Sequence, residues 1–491
     1  MKKFIVLTFL LLTALTACGG ESIEESRELT VSVFDSIITK PFVEEAAALF
    51  MYMHPDVTIT VESFSSMPEV RTVEMDDGTT MMVSHMEDSA QERRDYINQI
   101  NTELMSGRGA DILGFDVLPF HRYAQQGQLA DLRRFMDNDP NFNIYDYRAN
   151  ILDMLTTDAG LFKFPISYSF DYLTFDSTLF AQAQREFLET NDVFTLESLF
   201  AIGYPALESA WATESQYQMM PTTASTLFRT MFDLYHSHFI DIENRTANFT
   251  DGLFVDMLNQ LQYFEDTGLL RESAPEMNMD TISTIGIASS ATDRYAFKIK
   301  TLFTLFFEFA RDDPNTPSLD FGIGITDDDM IAGLLSNSLG QVPFSFGQIG
   351  TGTAFGINAN SQNQDLAWEF IKFLSSDAII EILQNPGGIP LHIGAFEESA
   401  RRSASNFFFR HHFNPDMAGE AIELTPAEQA RFDAYTATVA HFTSLLNTFH
   451  TTDSIMTDMV IEAVAEFFEG NISAEDLAQN LQSRVSLMLN E

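Results

Sequence analysis

Leu29, Val31 and Val33 alternate with Thr30 and Ser32, and the same two-residue rhythm returns at Val57, Ile59 and Val61. Between them Phe42, Val43, Ala46, Ala47 and Phe50 recur at helical spacing. A period of two marks a half-buried strand and a period near 3.6 an amphipathic helix. Pro41 suits the first turn of that helix, where its missing N–H costs nothing, and Pro55 breaks it. Strand, helix, strand at this length requires a parallel pair joined by a crossover helix, which commits the region to an α/β lobe. The chain has 491 residues, more than one core usually serves, so two lobes are expected.

Further along, two β-prone runs in Val70–Glu87 flank Asp77-Gly78, a hairpin turn signal. This hairpin carries Met75, Met81, Met82 and Met86, which suit either an adaptable lip over a ligand site or inward packing. Tyr96 to Met105 reads as a helix stopping near Gly107, and Ala110 to Phe115 as a short buried strand.

The N-terminus reads as an export signal. Lys2 and Lys3 precede an apolar stretch from Phe4 to Leu12, and small residues follow. A membrane-spanning helix needs ~20 apolar residues, and this run is shorter. Leu15-Thr16-Ala17-Cys18 resembles the lipobox of bacterial lipoproteins. The resemblance implies removal of 1–17, a lipid on Cys18 and a tether over 18–28, anchored to the outer face of the cytoplasmic membrane. Several acyl chains hold a protein at a bilayer where one is marginal. Cys18 is the single cysteine, so it closes no internal disulfide. With 27 basic and 71 acidic residues the formal charge is −44, which repels nucleic acid and argues against a polyanionic ligand.

Four blocks carry a resemblance to a known family. They are Ala110-Asp111-Ile112 with the downstream Tyr123-Ala124-Gln125-Gln126-Gly127-Gln128-Leu129; Phe164 to Phe170; Ala354 to Ser361 followed by Leu366 to Leu374; and Ser473 to Glu491. Together they resemble family 1 extracellular solute-binding proteins, the group that includes the maltose-binding proteins. The resemblance implies a type II periplasmic-binding-protein-like α/β fold, two lobes joined by hinge strands. One lobe would be 29–168 plus 358–403, the other 174–350 plus 415–491. Crossings would lie at Tyr168 to Leu173, Gly350 to Gly356, and within 404–414. It further implies a monomer without cofactor that closes on a solute, a carbohydrate by analogy, and hands it to the membrane permease of an ATP-driven importer. Consistent with a separate ATPase, no Gly-x-x-x-x-Gly-Lys-Ser/Thr loop occurs.

Open α/β sheets bind ligands beyond the carboxyl ends of their strands. Those positions hold Phe34 and Asp35, Phe64, and Phe115 and Asp116. Phe115 stands where maltose-binding proteins place a stacking tryptophan. Tyr168, Ser169 and Phe170 lie at the first crossing; Phe307 and Glu308 follow an expected strand over 301–306; Gln348 and Thr351 precede the third block. Each is a candidate contact, and for each an ordinary core or surface role is the alternative. Gly350, Gly352 and Gly356 suit either a hinge or close packing beside a strand. Trp368 reads as core, and Ser473 with Asp476 as a helix cap. No metal site is expected: Asp312-Asp313 and Asp327-Asp328-Asp329 lack the spacing of a calcium loop, and His236-x-His238 and His411-His412 lack further ligands. Two rival readings remain: a surface sensory binding protein, and a secreted glycosidase with paired carboxylates.

Overall fold

The computed structural model describes residues 27–34, 39–64, 69–74, 80–85, 89–115, 117–212, 217–242, 244–270, 294–301, 305, 329–338, 342–344, 354–382, 388–409, 425–449 and 454–490. The opening pattern folds as its periods require. Strands Arg27–Val33 and Val57–Ser63 pair in parallel, joined by the helix Thr39–Met53, which buries Phe42, Val43, Ala46, Ala47 and Phe50. Strand Ile112–Gly114 adds in parallel on the other side of the first strand. Ala354–Ile357 and then Phe164–Pro165 complete this five-stranded sheet antiparallel.

A second sheet has the order Phe297–Thr301, Asp171–Asp176, Asp329–Leu335, Val193–Phe194. Each sheet has its own core. One gathers Val31, Val43, Phe370 and Ile371; the other gathers Leu173, Phe228, Phe232, Phe254 and Leu481. The strand expected over 301–306 lies instead at Phe297–Thr301. Its buried lysines, Lys298 and Lys300, interrupt the apolar pattern and disguise it.

The chain leaves the first sheet at Phe164–Pro165, pairs Ser167–Tyr168 with Ile389–Pro390, and enters the second at Asp171. It returns between Leu335 and Ala354. The third crossing differs from the expectation of 404–414. Helix Pro426–Leu445 buries Phe432, Tyr435, Val439 and Phe442 in the first core, so this part of 415–491 packs with the first lobe. The chain then crosses at Thr448–Phe449, which pairs in parallel with Pro343–Phe344 of the second crossing. Of the described residues in 415–491, the helices Ser454–Phe468 and Ala474–Asn490 are the ones that join the second core.

Two of the sequence blocks interlock. The Asp111 carboxylate accepts hydrogen bonds from the Thr30 amide (2.8 Å), the Thr30 hydroxyl (2.9 Å) and the Ser361 hydroxyl (2.6 Å). The Asn358 side chain donates to the Ala110 carbonyl at 3.1 Å. These bonds fix the register of the three central strands. The hairpin at 69–85 forms with Glu69 opposite His85. Its turn and the side chains of Met81 and Met82 lie outside the described residues, as do Met75 and Met86. Gly356 resolves toward packing: a Cβ there would meet the Phe115 ring and the Phe162 carbonyl, each at 2.5 Å. Gly350 and Gly352 lie outside the described residues.

Candidate functional site

At the carboxyl ends of the three parallel strands Phe34, Phe64 and Phe115 converge in a small aromatic cluster. Phe34 and Phe64 flank the Tyr96 ring, with centroids 5.6 and 5.4 Å away. The Tyr96 hydroxyl lies 3.0 Å from Ser32 Oγ. Phe34 and Phe64 are half-buried, whereas Phe115 is buried beneath Phe120, ring centres 6.0 Å apart. Phe449, from the third crossing, meets Phe120 edge-on at 6.3 Å.

Lys163 enters this cluster just before the first crossing strand. Its ammonium lies 3.3 Å from the Phe120 ring centre and 3.8 Å from that of Phe449, and the residue is 2% exposed. Burial holds its pKa well below the usual lysine range. His121, the next residue after Phe120, is likewise held down, to about 3, by burial and then by the neighbouring charges of Lys163 and His236. It is therefore a neutral imidazole at physiological pH.

The three hinge candidates sit differently. Tyr168, Ser169 and Phe170 are all buried at the first crossing. The Tyr168 hydroxyl lies 2.7 Å from Thr443 Oγ1, and Phe170 packs edge-on to Phe442 at 6.1 Å. Burial pushes the Tyr168 hydroxyl up to about 12. These residues tie the crossing to the helix Pro426–Leu445 and do not join the aromatic cluster. Cys18, Asp35, Asp116, Phe307, Glu308, Gln348 and Thr351 lie outside the described residues.

Next to the cluster, a cavity of about 160 Å³ opens between the lobes. The helix Phe120–Gln125 supplies one wall, including His121, Arg122 and Gln125. Ile242, Arg245, Met456 and Met488 of the second lobe supply the other. Sequence reasoning missed Lys163, His121, Arg122, Arg245 and Phe449. For Lys163 there was one signal, a lone cation inside the apolar run Leu161 to Ile166. Elsewhere, His238 Nε2 lies 2.6 Å from Asp251 Oδ2.

The architecture can be compared with solved structures. An extracellular solute-binding protein family 1 from Alicyclobacillus acidocaldarius superposes with a TM-score of 0.55 at 14% identity, over 94% of this chain and 98% of that one. The sugar-binding protein MalE from Xanthomonas citri gives 0.56 at 14% identity, over 94% and 97%. An ABC substrate-binding protein from Listeria monocytogenes, in complex with cycloalternan, gives 0.52 at 13% identity, over 95% and 99%. No family model matches the sequence, and no curated protein matches it. The chain has the two-lobed α/β fold of family 1 extracellular solute-binding proteins, across nearly its whole length.

Proposed function

We propose that this chain is the substrate-binding lipoprotein of an ATP-driven importer. It captures a small polar solute, a carbohydrate, between its lobes and passes it unchanged to a membrane permease. The observation that carries this reading is the aromatic cluster of Phe34, Phe64 and Phe115 at the carboxyl ends of parallel strands, where open α/β sheets bind ligands. Aromatic faces stack on pyranose rings, and a lobe contact that includes Phe449 gives closure a ligand-dependent surface. Asp35, Asp116, Phe307, Glu308, Gln348 and Thr351 are proposed as polar and aromatic contacts from the flanking segments. In this reading 29–168, 358–403 and the helix Pro426–Leu445 form one lobe, and 174–350 with 454–490 the other.

Anchoring through Cys18 belongs to the same proposal. The helices among the described residues include none long and apolar enough to cross a membrane. The test is a thermal-shift screen with saccharides, polyols, amino acids, peptides and phosphate esters. A ligand at ~100 times its Kd stabilises by about 2.7 kcal/mol. A shift with one saccharide class, without its consumption, supports the proposal; shifts confined to peptides or esters overturn the carbohydrate assignment; turnover overturns the binding role. Acyl label carried by the wild type and lost in Cys18→Ala checks the anchor.

A further inference from the structure

We propose that the cavity between the helix Phe120–Gln125 and the second lobe reads a carboxylate, so that the solute is a small sugar acid, a pyranose bearing a single carboxylate. This rests on the solute-binding reading above and specifies its substrate class. The first observation is charge. Acidic residues outnumber basic ones by 71 to 27, yet the cavity is lined by Arg122 and Arg245 with His121, and by no acidic side chain among the described residues. Arg27, Arg93 and Arg133 each form an ion pair, with Asp56, Asp458 and Asp131, while others, Arg94 and Arg185 among them, form none among the described residues. Arg122 and Arg245 form no ion pair among the described residues. Within the cavity no carboxylate among the described residues competes for these two guanidinium groups, which leaves both open to an anionic ligand.

Geometry adds to this. The two arginines come from opposite lobes, so one anion held between them also draws the lobes together. A guanidinium presents a planar pair of donors that matches a carboxylate. Arg245 is the one non-glycine residue with positive φ among the described residues, at 55°. Such backbone strain persists where the surroundings enforce it and clusters at ligand sites. His121 Nε2 is buried with no hydrogen-bond partner, and a neutral imidazole there can serve a sugar hydroxyl. Ile242, Met456 and Met488 form an apolar wall for the ring face. Ligand sites usually span ~300–1,000 Å³, so a cavity of about 160 Å³ suits one sugar unit. A polyanion would face the field of the whole acidic molecule; one charge set between two arginines meets it least.

The test is calorimetric titration of the full chain with galacturonate, glucuronate and mannuronate, their neutral parent hexoses, and hexose 6-phosphates. The expected result is that a hexuronate binds at least ~10-fold more tightly than its neutral parent, a gap of about 1.4 kcal/mol. Arg122→Gln and Arg245→Gln should each remove most of that gap, weakening hexuronate binding far more than neutral-sugar binding, and keep the unliganded Tm. The inference is overturned if hexuronate and parent bind alike, if the phosphate ester binds more tightly, or if neither substitution weakens hexuronate binding. Binding confined to neutral saccharides overturns the sugar-acid class and leaves the solute-binding reading standing. Failure of every saccharide overturns both.

Discussion

A lysine amine enclosed by two phenylalanine rings is an expensive arrangement, and Lys163 holds it at the meeting point of two crossings. Burial depresses its pKa, so the folded state disfavours the protonated form relative to the unfolded chain. That penalty is present at neutral pH and is relieved as pH rises toward the unfolded lysine value of about 10.4. The rings return part of it through cation–π attraction. Lys163→Met keeps the length and removes the charge. Replacing a buried charge by an apolar isostere is commonly neutral or stabilising, so the variant should be more stable at pH 7 by about 1–2 kcal/mol in urea titration. The gain should shrink toward pH 10. If the ammonium also serves the solute, affinity falls in the same protein, and the opposed changes separate a binding role from a packing one. An equal loss of stability and affinity would mean that Lys163 is structural.

Among the elements, the helix Gln364–Leu374 was the most legible in the sequence, because Leu366, Ala367, Phe370, Ile371 and Leu374 share one buried face. What its sequence did not show is how it is pinned. Asp139, more than 200 residues earlier, accepts hydrogen bonds from Lys372 Nζ and from Trp368 Nε1, the latter at 3.1 Å. Burial raises the Asp139 carboxyl, but the bonds from Lys372, from the backbone and from Trp368 outweigh it and hold the group below its usual value. A carboxyl depressed in the folded state contributes stability above its unfolded value, near 3.9, and loses it as pH falls through the folded one. Asp139→Asn should therefore cost about 1–3 kcal/mol at pH 7, and the difference from wild type should close below about pH 4. A pH-independent difference would assign the loss to packing. Ser473 over Asp476 was equally readable, since a cap is local: the Asp476 amide donates to Ser473 Oγ at 3.1 Å. By contrast, the third crossing was misplaced because the helix Pro426–Leu445 carries apolar residues that suit either core, and only tertiary packing chooses between them. The cluster of Phe34, Phe64 and Phe115 followed from strand ends; Phe449 reaches it, and Arg245 the cavity beside it, through topology, which leaves no local trace.

Across the whole molecule the polar contacts between the lobes, among the described residues, include the ion pair Arg93–Asp458. Arg93 Nη2 lies 2.7 Å from Asp458 Oδ2, joining the helix Ser89–Met105 of the first lobe to Ser454–Phe468 of the second. Both side chains are about one-quarter exposed, so the pair is worth only ~0.5–1 kcal/mol. That small energy is suited to a closure which must also reverse, because a ligand shifts such an equilibrium only by its differential affinity for the two states. Removing it with Arg93→Ala lowers the population of the closed form, and apparent affinity scales with that population. The solute should bind roughly 2- to 5-fold more weakly, with faster dissociation, and the unliganded protein should show a larger radius of gyration in solution scattering. Stability of each lobe should change little, since neither core is touched. Asp458→Asn should weaken binding in the same direction, and the double variant should fall short of the sum of the two, because the Arg93–Asp458 contact is lost in each case. Additive losses would show that the two residues act separately and that closure is held elsewhere on the facing surfaces.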